Sequence, residues 1–176
     1  MNVLPALSFI RIMGLLSAPQ DLPYSKSLLR QVLFIYFVSG LLVLLPGTSD
    51  LFTAVVLMLL DLAMLTGFLK FCLYTRNTST RFLQTFIACL GVGVLFQLLA
   101  LPLVLVMNTG AELSQANNAL GALFYFLLLS WQVTVIAHIL RHAMNMQMTL
   151  TLLLSFSYVL LVIYISNQAV ILLAAS

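Results

Sequence analysis

The sequence predicts an all-α polytopic membrane protein, with five transmembrane helices preceded by an N-terminal amphipathic helix at the membrane interface. Three observations support this fold class: the composition, the long apolar segments and the placement of the cations. Of the 176 residues, 63% are apolar and only 6% are charged, whereas soluble domains carry about 25% charged residues. Because this small number of charged side chains cannot cover a water-facing surface, most of the chain is expected to face lipid.

The apolar segments predict helices rather than a transmembrane barrel. Within a bilayer every backbone polar group must be satisfied by the protein itself, which only helices and closed barrels achieve. Barrel strands alternate apolar and polar residues over about ten positions. The segment 51–73 is instead apolar almost without interruption, which is typical of a spanning helix.

Five segments approach or exceed the roughly 20 residues needed to cross the hydrocarbon core. They lie at about 28–45, 51–73, 82–107, 120–140 and 149–166. Pro46 and Gly47 end the first, and a further apolar run at 169–175 extends the fifth if it belongs to the same helix. The chain is thus divided into an N-terminal helix and turn, 1–27, and a five-helix bundle, 28–176.

The cations predict the orientation. With five spans, every lysine and arginine falls on one side of the membrane, and the connections on the other side carry none; the seven are Arg11, Lys26, Arg30, Lys70, Arg76, Arg81 and Arg141. Because cytoplasmic loops carry the excess of Lys and Arg, the N-terminus is expected in the cytoplasm and the C-terminus outside. The short loops fit a bacterial inner membrane.

The segment before the first span has a narrow polar stripe. Ser8, Arg11 and Gly14 recur at a spacing of three on an otherwise apolar helix. A helix of this kind lies in the head-group region or docks on the bundle, and the sequence leaves both arrangements open. Pro19 and Pro23 end the helix before the first span begins.

Asp61 is the main candidate for function. It lies near the middle of the second span, about nine residues or 13 Å from Lys70. An ionisable side chain at that depth normally faces a partner or a cavity. One interpretation is a proton or cation site, or a polar clamp between spans; the other is a packing hydrogen bond made by a protonated carboxyl.

Counting inward from the cytoplasmic cations places other polar residues at the level of Asp61. These are Ser39, Gln132 and Ser157, with a pair of glycines near Cys89 to Gly93. Because polar groups in a bilayer seek one another, we predict one intramembrane polar cluster centred on Asp61 and Gln132. Gln97 and Trp131 also lie within spans and are expected to hydrogen-bond across helices.

His138 and His142 lie at a spacing of four, and Met144, Met146 and Met148 follow. Imidazole and thioether groups can together hold a soft metal ion such as copper, but methionine in so apolar a chain is more often a packing residue. No metal site and no cofactor are therefore predicted. Cys72 and Cys89 lie in apolar segments and are interpreted as free, buried thiols.

The first part of the chain carries a family resemblance. The stretch FIRIMGLLSAPQDLPYSKSLLRQVLFIYFVSGLLVLLP, residues 9–46, resembles the start of bacterial members of the Yip family of five-span membrane proteins. The resemblance implies a short amphipathic helix, then a turn filled by Ser17, Ala18, Pro19 and Asp21, then the first span. The DLYGP and GY-type elements of the eukaryotic members are missing, so the resemblance implies a fold and a topology rather than a trafficking activity.

The sequence contains no GxSxG, HExxH or phosphate-binding loop, and seven scattered cations make no basic stripe for nucleic acid. Two hypotheses follow for a protein that is not an enzyme. The first is a Yip-like interaction or organising module that binds membrane lipids, another membrane protein or a second copy of itself. The alternative is a small oligomeric transporter or channel subunit with Asp61 as its proton or cation site.

Overall fold

Six α-helices make up most of the part of the chain that the structure describes. A computed structural model describes residues 5–48, 50–108 and 115–174. The helices are α1 (Pro5–Met13), α2 (Lys26–Leu44), α3 (Leu51–Thr75), α4 (Phe82–Asn108), α5 (Gln115–Met144) and α6 (Met148–Ala174). Short 3-10 turns at Pro19–Asp21, Leu45–Gly47 and Ser79–Arg81 lie between helices.

Helices α2 to α6 are long and apolar enough to cross a membrane, which confirms the five predicted spanning helices. The largest differences from the predicted spans are at α5 and α6. Helix α5 starts at Gln115 rather than near 120, and α6 continues to Ala174 rather than ending near 166. Polar residues such as Asn167 do not end a helix, because each turn satisfies its own backbone hydrogen bonds.

Polar side chains mark several helix ends. The Ser25 hydroxyl accepts a hydrogen bond from the backbone N–H of Leu28, and the Asp50 carboxylate accepts one from that of Thr53. These side chains satisfy N–H groups that have no partner within the helix. Asn77 and Asn145 follow α3 and α5 with φ of 55° and 57°, the left-handed conformation that often ends a helix.

Helix α4 lies at the centre of the bundle. It packs against α1, α2, α3 and α5, while α6 packs against α5 and α3. Every residue from Thr85 to Val92 is buried. Helix α4 is therefore enclosed by other helices over this stretch, whereas Leu98, Leu99 and Leu105 nearer its C-terminal end are exposed.

The two ends of the bundle differ in charge. At the basic end, the Arg81 guanidinium donates to the backbone carbonyls of His142 and Ala143, at 3.2 and 3.4 Å. This contact joins the connection between α3 and α4 to the last turn of α5. We call the opposite end, where the turn Leu45–Gly47 connects α2 to α3, the far end.

Helix α1 packs along α4 in the opposite direction. The Phe9 ring lies against Gly91, and the Gln84 amide of α4 donates to the backbone carbonyl of Leu22 at 2.9 Å. Gly91 is about 14 Å along α4 from Phe82, so α1 reaches well into the bundle from the basic end.

The buried face of α1 is part of the main core. Phe9, Ile12 and Met13 belong to the same buried apolar cluster as residues of α2, α3, α4 and α5. Leu7 and Ile10 remain exposed on the opposite face. Of the two arrangements that the sequence left open, the structure has the docked one, and the segment before residue 28 shares its core with the bundle.

Candidate functional site

Asp61 lies inside the bundle, about 15 Å along α3 from Leu51 at the far end. The hydroxyl of Tyr36 on α2 donates a hydrogen bond of 2.6 Å to Asp61 Oδ2. Within residues 5–48, 50–108 and 115–174, Asp61 forms no ion pair, and its second oxygen, Oδ1, has no hydrogen-bond partner. One oxygen of this carboxyl group is therefore held and the other is free.

Asp61 lines two cavities between the helices. A cavity of about 210 Å³ is lined by Asp61 and Gln132, together with residues of α2, α4 and α6. A second cavity of about 390 Å³ is also lined by Asp61 and Gln132 and extends to Leu44 and Asn167 near the far end. The structure thus brings Asp61 and Gln132, the predicted centre of the polar cluster, to the walls of the same two cavities.

Several polar groups on the cavity walls have no partner. Among the described residues, the Gln132 amide and the hydroxyls of Tyr125 and Tyr158 form no hydrogen bond. In the same part of the chain, every fully enclosed side-chain nitrogen or oxygen has a partner. The unpaired groups must therefore reach accessible space, and Tyr158, which is only 7% exposed, is one of the residues that line the cavity.

The aromatic rings around the cavity are held by their neighbours. The Tyr158 ring stacks on Phe68 with a centroid distance of 4.5 Å, and the Phe96 ring meets Trp131 edge-on at 5.4 Å. Tyr36 packs against Gly93 so closely that a Cβ there would lie 2.5 Å from Cε2 of the tyrosine. These contacts fix the positions of the aromatic side chains in the cavity walls.

Ser39 lies beside the cavities, about one helical turn beyond Tyr36 toward the far end. Its hydroxyl lies 2.5 Å from Gln97 Oε1 on α4 and 2.8 Å from the backbone carbonyl oxygen of Ile35, and its single hydrogen can be donated to either. Gln97 lines the larger cavity, whereas Ser39 lines neither. The predicted hydrogen bond of Gln97 across helices is confirmed, and Ser39 connects to the site through it.

Ser157 was predicted in the polar cluster, and the structure corrects this. Ser157 is exposed on the outer face of α6 and lines neither cavity. The next residue, Tyr158, is buried and faces inward. A count of residues gives depth only, while successive helical side chains differ by about 100° in direction.

Trp131 is confirmed to hydrogen-bond outside its own helix. Its indole N–H donates to the backbone carbonyl of Met13, at 3.3 Å. That carbonyl lies at the end of α1, where it lacks a partner in its own helix. Trp131 therefore fixes α1 on one side and supports Phe96 on the other.

The sequence analysis missed the tyrosines of this site. Tyr36, Tyr125 and Tyr158 are not among the residues predicted for the polar cluster, because tyrosines of membrane proteins are also common at the membrane interfaces. The residue spacing could have identified Tyr36. Tyr36 lies about 15 Å along α2 from Lys26 at the basic end, and Asp61 lies about 15 Å along α3 from Leu51 at the far end, so both residues are near mid-span. A tyrosine in mid-span needs a hydrogen-bond partner, and Asp61 is the nearest acid.

The two histidines lie together at the basic end. The rings of His138 and His142 are 4.6 Å apart, and His138 Nε2 is 3.2 Å from the backbone carbonyl of Ser17. No group of three or more His, Cys, Asp or Glu side chains that could hold a metal occurs in the described segments. The pair contacts the turn after α1, and Cys72 and Cys89 are buried free thiols.

Fold and site together fit a multi-pass membrane protein with a cavity between its helices that Asp61 and Gln132 line. The chain was compared with protein-family models, curated proteins and solved structures, and none matches it. The functional argument accordingly depends on the geometry around Asp61.

Proposed function

We propose that this protein binds a cation inside its helical bundle at Asp61, as a small transporter or channel subunit of the membrane. One observation carries the proposal: Asp61 faces a cavity, and its Oδ1 has no partner among the described residues. The alternative of a packing hydrogen bond explains only Oδ2, which Tyr36 occupies.

Electrostatics favours a cation at this position. An acidic side chain in the membrane interior is unfavourable unless it is paired or faces a water-filled space. None of the residues lining the two cavities is a lysine or an arginine. A bound cation would provide the missing counter-charge, and the unpaired Gln132 amide lies on the same wall to orient it.

Five spans are few for a transporter acting alone, and the sequence shows no inverted repeat of the kind that many transporters have. We therefore propose a homo-oligomer as the working unit. The proposal is for a protein that is not an enzyme, requires no cofactor and does not bind nucleic acid.

The proposed orientation places the basic end in the cytoplasm, by the excess of Lys and Arg there, in a bacterial inner membrane. Helix α1 then lies within the cytoplasmic leaflet, with its exposed residues Leu7 and Ile10 against lipid. The larger cavity, which extends to Leu44 and Asn167, leads toward the outer side.

The test is cation-dependent charge movement in proteoliposomes on a solid-supported membrane. Concentration jumps of H⁺, Na⁺, K⁺ and organic ammonium ions are applied to the wild type, to Asp61→Asn and to Asp50→Asn. We expect a response to at least one cation that Asp61→Asn abolishes. Asp50→Asn is the matched control, because asparagine can replace aspartate at a helix N-cap, and it should respond as the wild type does. No response to any cation, or one unchanged in Asp61→Asn, would contradict the proposal.

A second candidate function is the Yip-like interaction module. The observation that favours it is the turn after α1: Pro19 opens a 3-10 turn, and Asp21 Oδ2 accepts a hydrogen bond from the backbone N–H of Ala18 at 3.0 Å. This is the Ala-Pro-acid turn that the resemblance implies. Native mass spectrometry after extraction in mild detergent tests it, since a protein that retains neither lipid nor a partner chain would count against this function.

A further inference from the structure

We infer that the cation held at Asp61 is an organic ammonium ion, a protonated or quaternary amine, recognised by an aromatic cage. This inference rests on the proposed function and specifies its substrate class. Four aromatic side chains line the same cavity of about 210 Å³ as Asp61; they are Tyr36, Phe96, Tyr125 and Tyr158. They come from α2, α4, α5 and α6, so they surround the space from several sides.

Aromatic rings bind cations through the negative potential of their faces, and cages of such rings recognise quaternary ammonium groups. The interaction is strongest where water is excluded, as between helices within a membrane. Three rings of the cage are fixed: Tyr36 by its bond to Asp61, Tyr158 by Phe68 and Phe96 by Trp131. Rings already held in place lose little entropy when a ligand binds.

The remaining wall is mostly hydrocarbon, which argues against a bare inorganic ion. Leu65, Val92, Ile136 and Val159 contribute apolar surface, and such groups cannot replace the hydration shell of a small metal ion. The methyl and methylene groups of an organic cation need no such replacement. They pack on apolar side chains while the charge lies near Asp61 Oδ1.

The volume fits a small amine. A space of about 210 Å³ corresponds to about seven water molecules at their volume in the liquid, enough for a trimethylammonium group with a short polar tail. The unpaired Gln132 amide and Tyr158 hydroxyl can hydrogen-bond such a tail. Asp61 therefore provides the charge, the rings provide the cage, and Gln132 is placed to select the tail.

The test is binding of choline to the full-length protein in detergent, measured by calorimetry and by the fluorescence of Trp131, the single tryptophan, which contacts the cage through Phe96. The control ligand is 3,3-dimethyl-1-butanol, which has the shape of choline without its charge. We expect choline to bind and the alcohol to bind at least about tenfold more weakly. Asp61→Asn should remove this preference.

Substitutions of the tyrosines that line the cavity distinguish an aromatic cage from a cavity in which only Asp61 attracts the cation. Tyr158→Leu and Tyr125→Leu should each weaken choline binding about tenfold, whereas Tyr158→Phe, which keeps the ring, should retain it. If Tyr158→Leu fails to fold, Tyr125→Leu decides, because Tyr125 is 40% exposed and tolerates truncation. Choline binding that both leucine variants leave unchanged would overturn the cage.

The two proposals fail in different ways. If charge movement depends on Asp61 for H⁺, Na⁺ or K⁺ while choline binds no better than the neutral alcohol, the organic ammonium is wrong and the cation site stands. If neither charge movement nor ligand binding depends on Asp61, both proposals are overturned.

Discussion

At the scale of single residues, the hydrogen bond between Tyr36 and Asp61 is the central feature of this protein. The tyrosine hydroxyl lies 2.6 Å from Asp61 Oδ2, and the Tyr36 side chain is only 8% exposed. Burying an acid without a partner is unfavourable in a membrane, so this bond holds Asp61 in place, while Oδ1 has no hydrogen-bond partner among the described residues.

A double-mutant cycle of Tyr36→Phe and Asp61→Leu should show this coupling, because leucine has no acceptor for the tyrosine hydroxyl. Tyr36→Phe removes only the hydroxyl. The loss of unfolding free energy in the double variant should be smaller than the sum of the two single losses, and the difference should be about 1 kcal/mol. Thermal unfolding in detergent measures it. Tyr74→Phe is the control, because Tyr74 is 77% exposed and should have no measurable effect. Strictly additive effects would contradict a direct bond.

The contact of Gly91 with Phe9 makes a second prediction at this scale. A Cβ on Gly91 would overlap the Phe9 ring, whereas one on Gly67 would meet nothing within 4 Å. Gly91→Ala should therefore destabilise the protein by about 1–3 kcal/mol, and Gly67→Ala should be neutral or slightly stabilising. Phe9→Leu should recover part of the loss in the Gly91→Ala background. Equal unfolding midpoints for the two alanine variants would contradict the packing of α1 described here.

At the scale of helices, α1 changes how the N-terminal segment is understood. The polar stripe of α1 is compatible with a helix that lies on the membrane surface and with a helix that docks on the bundle. In both arrangements one face of α1 stays accessible to polar surroundings. Tertiary contacts decide the arrangement: Trp131 binds the Met13 carbonyl and His138 contacts that of Ser17. Helix α1 is therefore part of the bundle that encloses the cavity.

Thiol cross-linking tests the docking of α1 on α4. In a background with Cys72→Ala and Cys89→Ala, the pair Phe9→Cys and Gly91→Cys should cross-link rapidly with a short bifunctional thiol reagent. The pair Leu16→Cys and Gly91→Cys is the control, since Leu16 is 81% exposed and lies beyond the end of α1. A protease site inserted between α1 and α2 makes the link visible on a gel. After cleavage, a cross-linked protein keeps its two fragments together and an unlinked protein separates into them. Equal yields for the two pairs would indicate that α1 is not docked as described.

At the scale of the whole molecule, the asymmetry of charge predicts the orientation in the membrane. The basic end carries lysine and arginine on α2, α3 and α5, and the connections at the far end carry neither. With five helices long and apolar enough to span, the two termini are predicted on opposite sides of the membrane. The orientation is a collective property, because each cation contributes only a modest bias.

Reporter fusions test this orientation. An alkaline phosphatase, active only outside the cytoplasm, should be active when fused after residue 174 or within 109–114, and inactive when fused after Arg76. A fluorescent protein that matures only in the cytoplasm should give the opposite pattern. Lysines added within 109–114 should weaken or invert the orientation. Phosphatase activity after Arg76 would contradict a cytoplasmic basic end.

The sequence by itself determined the fold class and the number of spanning helices, because a helix in lipid must satisfy its own backbone and must be long and apolar enough to cross. Asp61 and Gln132 could be selected for the same reason, since polarity and depth are local properties. Only the tertiary structure decided which way each side chain points. It turned Ser157 outward and Tyr158 inward, paired Asp61 with Tyr36, and left the space beside them open. Helix rotation depends on the packing of all neighbours at once, and no single segment of the sequence contains that information.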